Sequence, residues 1–270
     1  MNAYLTGSLA ITLYLLSSAL LVGRLMRGSV VSCQRRQVLL TGLSATVIHG
    51  LFLYPQLITD AGLNLGFFNA ASLVALTTAL LLVIAAMFGP VDNLGIGVFP
   101  VAALSIVPVL LFPKTRIIPD ASLWQIDTHI LLSLLAYSIF GLAVIQSILL
   151  AIQDRHLHNR KPGGFIRALP PLAVMESLLF QMIGIGFALL TLALVSGALF
   201  MEDIFAQHLV HKTTLSIIAW ILFGVLLWGR WRFGWRGRTA IRWTIGGFIF
   251  LMLAYFGSKF VLELVLSRQT

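Results

Sequence analysis

Apolar positions along this chain fall into long unbroken runs, and polar ones gather in the short intervals between them. Each run holds about 20 residues, enough to cross a hydrocarbon layer about 30 Å thick as a helix. A membrane-spanning strand would instead alternate apolar and polar side chains over about 10 positions. Here every face of each run is apolar, and only a helix satisfies its own backbone groups in lipid without closing into a barrel. The pattern predicts an all-α, polytopic bundle of about eight transmembrane helices near residues 4–23, 38–58, 66–88, 95–112, 128–152, 178–199, 213–229 and 243–265, forming one domain over 1–270.

The intervals have their own chemistry. Gly89, Pro90, Val91, Asp92 and Asn93 supply turn conformations and predict a tight connection between the third and fourth helices. The longest interval, Gln153 to about Glu176, carries His156, His158, a Lys161-Pro162-Gly163-Gly164 stretch and Pro170-Pro171, which suits an interfacial segment. No interval is large enough for a soluble domain, and no internal repeat is evident. The first run, Tyr4 to Val22, lacks a basic leader and a small-x-small cleavage site, so it is expected to be the first helix and not a removed signal peptide.

Composition agrees with a lipid-facing chain: 59% of its 270 residues are hydrophobic, 10% are charged, and mean hydropathy is +0.98. A net charge of +9 could suggest nucleic acid, but no basic patch is interleaved with aromatics on a soluble domain, so no nucleic-acid partner is expected. The charge sorts by loop instead. Arg24, Arg27, Arg35 and Arg36 follow the first helix; Arg155, Arg160, Lys161 and Arg167 follow the fifth; Arg230, Arg232, Arg236, Arg238 and Arg242 follow the seventh. These make up thirteen of the eighteen Lys and Arg, in alternate loops that the positive-inside rule assigns to the cytoplasm, leaving both termini outside. Cys33 is the single cysteine, which excludes an intramolecular disulfide, a CxxC dithiol and a CxxCH haem attachment.

Residues able to bind something are few. His129, His208 and His211 are expected on the outer face with Asp120, Asp127, Glu202 and Asp203 near them, and His49 lies within the second helix. Neutral imidazole is a good axial ligand for haem iron when its second nitrogen is oriented by an acceptor. Each histidine also has a plainer reading. His49 serves as ligand or relay, or else makes an interhelical hydrogen bond. His129 is a ligand, or an interfacial histidine beside Trp124. His208 and His211 share a face if their segment is helical, and are otherwise solvated. Lys259 and Glu263, four apart, form either a charge pair serving a proton or a propionate, or a snorkelling lysine with a rim carboxylate. Trp228, Trp231, Trp235 and Trp243 among five arginines read as an aromatic belt, or as a docking face for anionic lipid or a partner. Gly184, Gly186, Ser196 and Gly197 read as helix-packing residues. No nucleophile, base and orienting group come together, so no catalysis is assigned.

The segment Ile183-Gly184-Ile185-Gly186-Phe187-Ala188-Leu189-Leu190-Thr191-Leu192 with Val195-Ser196-Gly197-Ala198 resembles the helix preceding the tryptophan-rich loop of cytochrome c assembly proteins of the CcsA type. Gly234-Trp235-Arg236-Gly237-Arg238, Tyr255-Phe256-Gly257 and His129 to Tyr137 are similar to that family too, and the whole chain resembles its small YpjD- or HemX-like branch. The resemblance implies a bacterial inner-membrane protein that handles b-type haem at the outer face alongside other cytochrome c maturation or membrane proteins. It carries His129 over as the histidine before the loop and His49 as the membrane histidine. The chain departs from the pattern at Gln207 to Lys212, where the family has tryptophans, and at Leu264 to Leu266, where it has a second outer histidine. His211 or His208 is then a candidate substitute ligand. Two other classes stay open: a non-catalytic membrane scaffold or regulator without haem delivery, and a small-solute or ion transporter using His49, Pro55 and the Lys259–Glu263 pair.

Overall fold

A computed structural model describes residues 2–27, 32–59, 62–112, 117–118, 124–159, 168–200 and 210–260. Its long helices are α1 (Ala3–Arg27), α2 (Ser32–Leu57), α3 (Phe67–Phe88), α4 (Gly95–Leu111), α5 (Trp124–His158), α6 (Leu172–Phe200), α7 (Val210–Phe233) and α8 (Arg238–Met252). A π-helical turn, Leu253–Gly257, and one more α-turn, Ser258–Phe260, extend α8. Among the described residues eight helical stretches are long and apolar enough to cross a bilayer, which establishes the expected all-α membrane fold.

Several helices outrun their apolar stretches. α2 starts at Ser32 where the pattern gave about 38, α5 ends at His158 and α6 starts at Leu172. Lipid thickness limits the apolar run, whereas helical hydrogen bonding continues into the headgroup region as long as side chains there are polar. A small antiparallel sheet was not foreseen: β1 (Ile58–Thr59), β2 (Gly62–Asn64) and β3 (Ile117–Ile118) pair Ile58 with Leu63 and Leu63 with Ile118. Strands of two or three residues are too short to show a period of two, so the sequence pattern could not reveal them.

The chain forms two compact units, 1–121 with 155–171, and 122–154 with 172–270. In the first, α1 packs on α2 and α4 while α3 packs on α2 and α4, around the fully buried Tyr14, Phe52 and Ile106. One end is tied by charge. Asp92 accepts from Arg24 Nη1 at 2.7 Å and from Arg35 Nη2 at 3.3 Å, and Arg35 Nη2 also donates to the Ala86 and Gly89 carbonyls. The turn between α3 and α4 thus shares an end of the unit with Arg24 and Arg35.

In the second unit α7 packs on α6 and α8. Phe140 of α5 stacks on Phe223 of α7, with centroids 3.9 Å apart. Gly186 of α6 and Gly247 of α8 flank this pair: a Cβ on either would stand 2.9 Å from a ring carbon, so only glycine permits the approach. At one end, Glu176 Oε1 accepts from the Gly237 backbone N–H at 2.8 Å, fastening the α7–α8 turn to α6. At the other, Trp124 meets Phe200 edge-on, joining the start of α5 to the end of α6.

Candidate functional site

His129 sits in the second turn of α5, half-buried against α6. Its Nδ1 lies 3.0 Å from the Ala193 carbonyl oxygen and 3.1 Å from Ser196 Oγ. A carbonyl can only accept, so Nδ1 carries the proton and donates it. Ser196 Oγ donates its own hydrogen to the same carbonyl at 2.9 Å, which leaves an Oγ lone pair turned to the imidazole. The tautomer this fixes has its lone pair on Nε2, and Nε2 has no hydrogen-bond partner among the described residues. Gly197 lies under the ring edge, where a Cβ would come within 3.1 Å of Cε1. One turn before His129 on the same face of α5, Gln125 Oε1 is buried without a hydrogen-bond partner. Two turns further along, Tyr137 donates from its hydroxyl to the Leu251 carbonyl, where α8 passes into its π turn.

His49 is held differently. It is fully buried in the first unit, with Nδ1 3.2 Å from the Tyr14 hydroxyl and Nε2 2.8 Å from Ser72 Oγ; Ser105 Oγ reaches Ser72 Oγ at 3.5 Å. Both nitrogens are therefore engaged, and the residue joins α1, α2 and α3. Tyr14 meets the imidazole edge-on and stacks on Phe99.

His211 is exposed in the first turn of α7. His208, Asp120, Glu202, Asp203 and Glu263 lie outside the described residues. Lys259 Nζ sits 4.8 Å from the Tyr255 ring centroid, a cation–π contact at the end of α8. His49 and His129 belong to different units. Among the described residues no three His, Cys, Asp or Glu side chains gather as a bare metal ion would need. A porphyrin brings four nitrogen ligands of its own and asks the protein for one or two, so a single oriented imidazole such as His129 fits haem iron and does not fit a free transition-metal ion. Ser196 and Gly197, which help make that orientation, read in the sequence as packing residues, and Ala193 was not singled out there. The signal that could have singled out Ser196 and Gly197 is a hydroxyl beside the smallest residue on the helix facing a histidine.

Comparison with known proteins adds a second line. The family described as cytochrome C assembly protein matches residues 38–266. The inner membrane protein YpjD of Escherichia coli strain K12 is 33% identical over 263 residues, covering 95% of this chain and 97% of that protein. Protein HemX of Brevibacillus brevis is 24% identical over 157 residues, covering 56% of this chain and 58% of its own. The cytochrome c biogenesis protein CcsA of Mesostigma viride is 34% identical over 86 residues, 31% of this chain and 28% of that protein. No solved structure matches.

Proposed function

From the premise that this chain belongs to the cytochrome c assembly protein family, we propose that it binds haem through His129 Nε2 and handles it at the outer face of the inner membrane, together with partner proteins. It is a multi-pass inner-membrane protein of the cytochrome c biogenesis type. The observation that carries the haem reading is the seating of His129: Nδ1–H is taken by the Ala193 carbonyl and Ser196 Oγ, and Nε2 is left with its lone pair. A ligating histidine commonly uses its second nitrogen in this way, which fixes the ring and raises its basicity. The iron when bound supplies redox and ligand-exchange chemistry; the protein's part is to hold the imidazole in one tautomer and one plane. The family match runs through both compact units, so we read them as one cytochrome c assembly domain.

His49 enters this reading as the brace of the first unit, since both of its nitrogens already bond to neighbouring helices. His211, exposed at the start of α7, is the candidate for a second axial ligand, with His208 beside it in sequence. The test is the visible spectrum of the protein purified from membranes in mild detergent. A Soret band of b-type haem, lost in His129→Ala and kept in His49→Ala, supports the assignment. A protein that neither retains nor titrates haem overturns it.

A second reading, a membrane regulator without haem delivery, is favoured by one feature: Gln207 to Lys212 contains no tryptophan, where the resemblance leads one to expect several. Haem binding with no transfer to an apocytochrome in a reconstituted assay separates it from the first.

A further inference from the structure

Between α2 and α3, at the end of the first unit where Asp92 lies, there is an open cavity of about 320 Å³ lined by Arg35, Arg36, Leu40, Leu43, Val83 and Met87. Its two kinds of wall are stacked along the membrane normal. Arg35 and Arg36 precede the apolar run of the second candidate span and Met87 is next to the end of the third, which puts the guanidiniums toward headgroup depth. Leu40 and Leu43 lie about 8 and 12 Å deeper along α2, at 1.5 Å per residue. Beyond them the exposed Val47 and Leu51 carry the apolar stripe further into the bilayer.

The charge at the mouth is uncompensated. Arg24 and Arg35 share the single carboxylate of Asp92. Arg35 makes its hydrogen bonds through Nε and Nη2, which leaves both N–H groups of Nη1 unused among the described residues. Arg36 is exposed and has no partner among the described residues. A phosphate oxygen pair suits such a fork of guanidinium donors, and an acyl chain suits the leucine, valine and methionine wall beneath it.

We infer that this groove is a binding site for an anionic phospholipid, the phosphodiester held by Arg35 Nη1 and Arg36 and one acyl chain lying along Leu40, Leu43 and Met87. Charge complementarity selects the anionic class: a zwitterionic headgroup would place its own cation beside two guanidiniums. The site is independent of His129, which belongs to the other unit.

The experiment is competition against a fluorophore-labelled phosphatidylglycerol on the full-length protein in detergent, read by anisotropy. Unlabelled phosphatidylglycerol is expected to compete about thirtyfold better than phosphatidylcholine, the discrimination two guanidiniums give at about 1 kcal/mol each near an anionic lipid. Arg36→Gln should reduce the preference to about fivefold, the share of the remaining Arg35, while Arg232→Gln, an exposed arginine of the other unit, keeps it whole. Inorganic phosphate should not compete, because the apolar wall contributes to holding the lipid. Equal competition by the two lipids, an equal loss in Arg232→Gln, or displacement by inorganic phosphate would each overturn the inference.

Discussion

Gly197 is the floor on which the His129 ring rests: a Cβ added to its Cα would stand 3.1 Å from Cε1 and 3.4 Å from Nδ1. Alanine there forces the imidazole outward by a few tenths of an ångström, and a larger side chain evicts it. Gly197→Leu is expected to lower the haem recovered per protein by at least about tenfold, the scale on which partners behind a ligating histidine act. Gly197→Ala should fall between that variant and wild type. The ratio of Soret to protein absorbance after identical purification checks both, and a full haem complement in Gly197→Leu would remove His129 from the iron.

Ser196→Ala tests the other half of the seat. The Ala193 carbonyl still accepts from Nδ1, so the tautomer survives with one partner fewer. Haem occupancy should drop by less than about tenfold, since a single neutral hydrogen bond contributes about 1 kcal/mol. Titration of the apoprotein with haemin measures the difference directly.

Apolar runs located the spans because bilayer thickness dictates their length and a helix is the only open structure lipid accepts. The same runs could not show what Ser196 and Gly197 do. Small residues at helical spacing signal close approach, yet the sequence does not say whether the thing approached is a helix backbone or, as here, an imidazole. The Asp92 ion pairs were equally hidden, because Arg24 and Arg35 precede it by 68 and 57 residues and only the folded α1–α2 pair brings them back. His129 was legible as a candidate because the chain has few histidines and the resemblance carries this one over, whereas Trp124 beside it pointed to the plainer interfacial reading. The expected Lys259–Glu263 pair and the His208 position fall outside what the structure describes at one or both residues.

His49→Ala is expected to separate stability from haem. It removes two interhelical hydrogen bonds and leaves Tyr14 and Ser72 without a shared partner. Bonds of this kind between membrane helices average about 0.6 kcal/mol, and the cavity left behind adds to the loss, so a decrease of about 2–4 kcal/mol follows. Thermal unfolding in detergent should show the lower midpoint while haem per folded protein stays at the wild-type level. Loss of haem equal to that in His129→Ala would overturn the reading of His49 as a brace without a part in haem binding.

Asp92→Asn addresses the charged end of the first unit. Side chains of Arg24 and Asp92 are 20% and 13% exposed, so the pair is partly shielded from water. Breaking a fully buried pair costs about 3–5 kcal/mol; discounted for this exposure and for the second arginine, about 2 kcal/mol is expected here. The asparagine can still accept from one guanidinium, so the helices should assemble with a lowered unfolding midpoint. An unchanged midpoint would show that Arg35's bonds to the Ala86 and Gly89 carbonyls hold the turn unaided.

Where haem meets this protein depends on which way the bundle faces, and the distribution of arginine makes a definite prediction. In the second unit Arg230, Arg232, Arg236 and Arg238 gather around the α7–α8 turn, which Glu176 fastens to the start of α6. His129 and His211 lie at the opposite ends of α5 and α7 from Asp154 and that turn. Translocating four guanidiniums in one short loop is disfavoured against the positive-inside bias, so the turn is expected in the cytoplasm and the histidines outside. With Cys33 replaced by serine, a cysteine at 211 should react with a membrane-impermeant maleimide in intact spheroplasts, and one at 236 only after permeabilisation. The reverse labelling would keep the His129 seat intact as chemistry but place it on the cytoplasmic face, where a cytochrome destined for the outer side could not be its recipient.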